Sequence, residues 1–284
     1  MDKEIYIIRC PQETMGLFAV YNYVVHHLDI ADSRGLIPVI DWQHYPNSSM
    51  LEDSLVGKEN VWDYFWEQPS NISLDEAYRS KNVTMSNGAG KGDLSEIYHP
   101  EQIVNTHKLI AKYIRLNKQT ALYVDREYRR LHMDTNQVLG VKCRGTDFKL
   151  SPKGHAVVPT ADETIAKIED KQQEWGKFEK IFLSTEDEDI FQRMSEYFGD
   201  RLIYVQGHTR HRIDELEGKW LIELYDNKRY QGNKRENMLE YLTSVYLLAR
   251  CDALIVPCVG GALASMRIRG NCEKCFVFEL GIYS

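Results

Sequence analysis

The stretch VLGVKCRGTDF, residues 138–148, decides the fold: a short apolar run, 138–143, ends directly on Arg144, Gly145 and Asp147. A run of this length stopped by a glycine turn reads as a buried strand. In open α/β sheets the carboxyl ends of the strands face the ligand crevice, so a charged cluster there points to function. A planar guanidinium at that edge is suited to gripping a diphosphate in bidentate fashion. The simpler alternative is an ion pair between Arg144 and Asp147 at a strand end.

Working outward, apolar runs at 138–143, 180–184, 202–205, 253–257 and 275–280 alternate with segments of helical period at 161–175, 189–198, 236–250 and 261–268. Repeated β-α-β of this kind predicts a doubly wound parallel sheet, with the chemistry in the loops after the strands. Residues 206–234 interrupt the pattern. They are polar and contain GHTRHR, 207–212, which suits either a loop over the crevice or a solvated insertion. The first half opens in the same way, with a strand at 4–8, a loop holding Gly16, a helix at 19–31 and a strand at 36–41. Helices follow at 100–117 and 119–131. The aromatic run VWDYFWEQP, 61–69, reads as core or interface ahead of a sugar platform. SNGAGKGD, 86–93, lacks the residue order of a phosphate-binding P-loop, which disfavours nucleotide hydrolysis.

With 284 residues, 43% of them hydrophobic, the chain can hold two ordinary domains, expected at 1–135 and 136–284. The net charge of −7 argues against a nucleic-acid footprint and favours small-molecule partners. No stretch approaches the roughly 18–20 apolar residues of a membrane span, and MDKEIYIIRC runs straight into the first strand without a secretory pattern. A soluble, cytoplasmic protein is expected. The six cysteines then read as reduced and mostly buried. Cys272 and Cys275 form a CxxC without a second pair at zinc-site spacing, so no metal is expected there. The sequons at Asn47, Asn71 and Asn82 are set aside for lack of a secretory signal.

An apparent DxD, Asp187 to Asp189, invites a metal-dependent reading. The competing one is a capped helix start, with Thr185 as N-cap and acidic groups in the first turn. A reaction that expels a diphosphate needs a fixed cation near the leaving group, because negative charge builds there in the transition state. Arg144 fits that need. Backbone N–H groups at 259–262, opening a helix, would add to it, and glycine at 260 and 261 permits close approach. Asp147, His155 and Glu186 have the chemistry of a general base. For Asp147 the preferred role is orienting the amides of its own loop; a lone loop histidine such as His155 is usually polar surface.

Three segments together resemble the fucosyltransferase superfamily that contains α1,2-, α1,6- and protein O-fucosyltransferases. They are GLFAVYNYVVHHLDIADSRGLIPVI, 16–40; VKCRGTDF, 141–148; and IFLSTEDEDIF, 181–191, followed by YLTSVYLLARCDALIVPCVGGA, 241–262. The resemblance implies a GT-B fold, two Rossmann-like domains facing across a cleft, and inverting transfer of fucose from GDP-fucose to a glycan hydroxyl with no cofactor or required metal. Arg144 falls on the family's donor-contacting arginine and Asp147 on its motif aspartate, while Gly16 lies in the first loop. Lys142 replaces a histidine and Gly145 a second arginine. Glu186 or Asp187 matches the acidic pair after the middle strand. Ser244 stands where an aspartate reads guanine, and Gly260 and Gly261 stand where serines contact the diphosphate. Glu240, one helical turn before Ser244, has the acceptor oxygens to take over guanine N1 and N2 hydrogens. The departures leave open a different nucleotide sugar, or a noncatalytic nucleotide- or glycan-binding module. The expected partners are a nucleotide-sugar donor and a glycan acceptor, conceivably on a lipid carrier.

Overall fold

The computed structural model describes residues 4–10, 15–45, 50–51, 53–87, 94–217, 220–226 and 232–284. Asn47 and most of the 86–93 stretch lie outside these. The first sheet is formed by β1 (Ile5–Arg9), β2 (Ile37–Asp41) and β3 (Val83–Met85), all parallel in the order β2-β1-β3. The second holds β4 (Val138–Lys142), β5 (Lys180–Ser184), β6 (Leu202–Ile203), β7 (Ala253–Pro257) and β8 (Cys275–Phe278), in the order β6-β5-β4-β7-β8, also parallel. The helices are α1 (Leu17–Arg34), α2 (Leu74–Arg79), α3 (Pro100–Tyr113), α4 (Lys118–Arg130), α5 (Ala161–Trp175), α6 (Glu188–Phe198), α7 (Leu221–Asp226), α8 (Lys234–Ala249) and α9 (Gly260–Arg269).

Local chemistry accounts for the boundaries. Thr160 and Glu163 close a reciprocal capping box at the start of α5, and Gly35 ends α1 in the left-handed conformation that glycine adopts without strain. β4 is central and buried on every residue. Its Gly140 is required by packing, since a Cβ there would lie 2.7 Å from Leu254 Cδ2 and 2.9 Å from Cys251 Sγ. One face of the five-stranded sheet packs Leu139, Val141, Ile181 and Ile255 against α5 and α6. The other joins a larger core that runs through α1, α8 and α9 into the first sheet, with Tyr6, Phe18, Leu247 and Leu263 among its members.

The carboxyl edges of the two sheets turn toward each other. Asn22 of α1 donates from Nδ2 to the Gly260 carbonyl at 3.0 Å, at the first turn of α9. Arg267 of α9 donates to Asn22 Oδ1 at 2.9 Å and is paired with Glu96. Lys234, at the start of α8, donates to the Leu51 carbonyl in the loop after β2.

Several expectations need correction. The strand expected at 202–205 keeps only two residues, and that expected at 275–280 stops at Phe278. β3, α2 and α7 were not anticipated. The aromatic run is core: Trp62 stacks on Trp66 at 4.4 Å and Trp42 meets both edge-on, all three fully buried. All six cysteines are free thiols, four of them buried, and burial pushes the Cys143 thiol up to about 12. No helix among the described residues is long and apolar enough to cross a membrane.

Candidate active site

β4 and β5 are adjacent and in register, so the residues that follow them meet at one edge. Glu186 lies between two cations there: Lys142 Nζ is 3.1 Å from its Oε2 and an Arg144 Nη is 3.1 Å from its Oε1. The Gly145 amide also donates to Oε1, at 2.9 Å. Lys142 and Arg144 thus reach one carboxylate from the same strand end, as residues two apart on one face should. The Lys142 side chain is only 1% exposed, which rules out a solvent-facing role for its ammonium in this arrangement. Burial alone would raise the Glu186 carboxyl, but the charges of Arg144 and Lys142 outweigh it and hold the group well below the usual carboxylate range.

Arg144 makes the Asp147 pair that its sequence spacing suggested, at 2.5 Å, and lies over the Phe148 ring with its guanidinium carbon 4.9 Å from the centroid. Its side chain keeps 19% exposure. The ion pair and a partly exposed side chain therefore coexist. Asp147 orients a backbone amide as expected, but not one of its own loop. Its Oδ2 accepts from Leu221 N at 3.0 Å and so fastens the start of α7, part of the 206–234 insertion, against the site. Burial raises the Asp147 carboxyl despite the neighbouring arginine.

Gly145 explains the absence of a second arginine. A Cβ at this position would fall 2.3 Å from Asp187 Oδ2 and 2.5 Å from its Cγ, so no side chain fits while Asp187 is in place. Asp187 is itself fully occupied: it accepts from Thr146 N at 2.6 Å, pairs with Lys149 at 2.7 Å and caps α6 by accepting from Ile190 N at 2.9 Å. The N-cap is therefore Asp187 and not Thr185, whose hydroxyl accepts from the Asp187 amide instead. Thr146 takes a positive φ of 48° to bring its amide onto Asp187, an uncommon conformation for a β-branched residue. Asp189 shares Lys149 at 3.1 Å and also pairs with Arg212, so the DxD is a capped, ion-paired helix start. Among the described residues no group of His, Cys, Asp and Glu could hold a metal ion.

Tyr241 forms the opposite wall. Lys142 Nζ lies 5.4 Å from its ring centroid, His208 stacks on it at 5.6 Å and Phe18 meets it edge-on at 5.2 Å. Burial, with the nearby Lys142 charge, lowers His208 to about 3, so the ring is neutral at physiological pH. Gly261 fits against this wall: a Cβ there would lie 2.6 Å from the Tyr241 hydroxyl. Gly260 is less constrained, with no neighbour closer than 3.5 Å to such a carbon. α9 opens at Val259 without a side-chain cap, next to the first turn of α1 that Gly16 begins. Glu240 is one residue before Tyr241 but is committed elsewhere: Oε1 accepts from the Tyr123 hydroxyl, and Gly207 packs where a Cβ would lie 2.7 Å from its carboxyl carbon. Burial raises the Glu240 carboxyl. Ser244 is fully buried, and its hydroxyl has no partner among the described residues.

His155 packs beside the site, with its ring 5.5 Å from Phe148, the ring under Arg144, and 5.1 Å from Trp220. The site thus brings together Lys142, Arg144, Asp147, Glu186 and Asp187, and places Gly261 against it through Tyr241. Sequence reasoning missed Lys149, Tyr241 and His208. The GHTRHR run was the available signal for His208, whereas Tyr241 is hidden in an apolar helix.

No protein-family model and no curated protein sequence matches the chain. Solved structures do. A NodZ α-1,6-fucosyltransferase soaked with GDP-fucose superposes with a TM-score of 0.59 at 16% identity, covering 98% of this chain and 96% of that one. Fucosyltransferase NodZ from Bradyrhizobium gives 0.52 at 16% identity over 89% and 88%. Arabidopsis thaliana FUT1, a variant in complex with GDP, gives 0.55 at 11% identity over 97% of this chain and 70% of its own. In its mixed α/β architecture with parallel sheets, the chain has the fold of the GT-B fucosyltransferases.

Proposed function

We propose that the chain is an inverting glycosyltransferase that moves a sugar, fucose in the first instance, from a guanosine diphosphate donor to the hydroxyl of a glycan. On this reading residues 136–284 bind the donor, residues 1–135 offer the acceptor side, and no cofactor or metal is required. The observation that carries it is Arg144: a guanidinium fixed by two carboxylates at the carboxyl end of a central parallel strand, on a side chain that is partly exposed.

The physical argument concerns preorganisation. Loss of a nucleoside diphosphate develops negative charge on the leaving oxygen, and a cation already held in place stabilises that charge without reorganising. Glu186 and Asp147 each take one Nη of Arg144, and a guanidinium has five N–H donors, so others are left for phosphate oxygens. The uncapped start of α9 supplies a second favourable field for an anion. On this reading the Glu240 Oε2, which has no partner among the described residues, accepts from guanine while Oε1 keeps Tyr123. An acceptor glycan carried on a lipid is compatible with this chemistry.

Thermal-shift measurements with GDP, UDP, CMP and ADP test the nucleotide. GDP at about 100 times its Kd is expected to stabilise the fold by about 2.7 kcal/mol. Stabilisation by UDP alone would refute the guanosine assignment. Arg144→Ala is expected to lower GDP-fucose turnover by at least about 10²-fold; full turnover in that variant would refute the mechanism. GDP binding without turnover in the unaltered chain would identify a binding module instead.

A further inference from the structure

A second cluster of polar groups lies at the carboxyl edge of the three-stranded sheet. Asp41 ends β2, beside Arg9 at the end of β1, and its side chain has no exposed surface. Oδ1 accepts the amides of Gln43 at 3.0 Å and His44 at 2.9 Å. Oδ2 lies 3.0 Å from His44 Nδ1 and accepts the Tyr78 hydroxyl. So surrounded, Asp41 is a rigid support. With Nδ1 donating to the carboxylate, His44 carries its lone pair on Nε2. That nitrogen makes no hydrogen bond to a described residue, and the His44 side chain is 47% exposed.

A carboxylate needed only to close the turn would be satisfied by the two amides; the imidazole is an addition to that turn. Tyr78 of α2 meets the ring edge-on at 5.0 Å, and Tyr78 in turn has Tyr45 and Arg9 as charged or titratable neighbours, with the Arg9 guanidinium 5.2 Å from the Tyr45 ring centroid. The loop that follows His44 reaches α8 through Leu51 and Lys234, and α8 bears the Tyr241 wall of the ion cluster. The imidazole stands at the carboxyl edge of the first sheet, the edge beyond which α1 starts beside the first turn of α9.

We propose that His44 is the proton acceptor for the incoming hydroxyl, with Asp41 as its positioning residue; this rests on the glycosyltransferase reading above. In the step, the acceptor oxygen forms a bond to the anomeric carbon as the bond from that carbon to the diphosphate oxygen breaks. The leaving nucleoside diphosphate keeps the electron pair, and the hydroxyl proton passes to His44 Nε2 and then to solvent.

The experiment uses the full chain with GDP-fucose, water as the basal acceptor, and methyl glycosides of galactose, glucose and N-acetylglucosamine as sugar acceptors. His44→Gln is expected to lower kcat by about 10²-fold or more, to abolish the decline of kcat toward acid pH, and to leave GDP-induced stabilisation unchanged. Asp41→Asn should lower kcat less and alter the pH profile while also leaving GDP stabilisation in place; His44→Gln, in an exposed loop, provides the reading should Asp41→Asn fold poorly. His44→Gln with unaltered kcat and pH profile overturns the proposal while leaving the donor site standing. Absence of both GDP stabilisation and GDP-fucose turnover in the unaltered chain overturns the underlying reading and this proposal with it.

Discussion

The two carboxyl edges are built on opposite principles. At the five-stranded sheet, Lys142, Arg144 and Lys149 are matched by Glu186, Asp147 and Asp187 in a network whose carboxylates are buried. At the three-stranded sheet a single buried carboxylate collects neutral donors and an exposed imidazole. The first arrangement fixes charge, and its two cations hold the Glu186 carboxyl well below the usual carboxylate range. The second leaves an imidazole in contact with solvent.

The sharpest way to break this contrast is Glu186→Ala. It strips Lys142 and Arg144 of their shared partner and leaves a buried ammonium uncompensated, an expected loss of about 3–5 kcal/mol in denaturant unfolding. A loss under about 1 kcal/mol would mean that the network is far more hydrated than its burial implies. A second measurement concerns acid. His208 has a folded-state value depressed to about 3 from an ordinary value of 6.5, so its contribution is complete above about pH 6.5 and is lost as pH falls toward 3. Each pH unit within that window should cost about 1.4 kcal/mol from this group. His208→Gln should flatten the acid side of the Tm profile, and an unchanged slope would contradict the buried neutral ring. The smallest effect is expected at the other edge. Tyr78→Phe removes one donor from Asp41 in a half-exposed setting, for about 1 kcal/mol or less, and a much larger loss would show that this edge too is a cooperative network.

The β-α-β order of the second half was legible because parallel strands buried on both faces read as continuous apolar runs, and 180–184 and 253–257 match the observed strands at both ends. β3 was not, since only Val83 of its three residues is even partly buried and the strand is defined by its pairing with β1. α7 was hidden because its six residues sit in a polar insertion and take their place from Asp147, far away in sequence. In the site, Arg144 and Glu186 were visible as charges after apolar runs. The reason for Gly145 was not, because it depends on where Asp187 lies in three dimensions. The Asp41 and His44 pair escaped for the opposite reason: two ordinary loop residues gain meaning only once Tyr78 and the sheet edge enclose the carboxylate.

The seam at α9 has a mechanical consequence. Asn22 is held by the Gly260 carbonyl and by Arg267, and Arg267 is anchored in turn on Glu96, all in or beside the core shared by both sheets. Turning one sheet against the other would tear these bonds together and expose a charged guanidinium pair to incomplete solvation. The stretch around His211 is tied to the same frame: its amide donates to the Glu186 carbonyl at 2.8 Å, its carbonyl accepts from the Glu188 amide at 3.0 Å, and Arg212 pairs with Asp189. Rotation of one sheet against the other is therefore opposed at the α9 seam, and the ion cluster is braced from both of its sides.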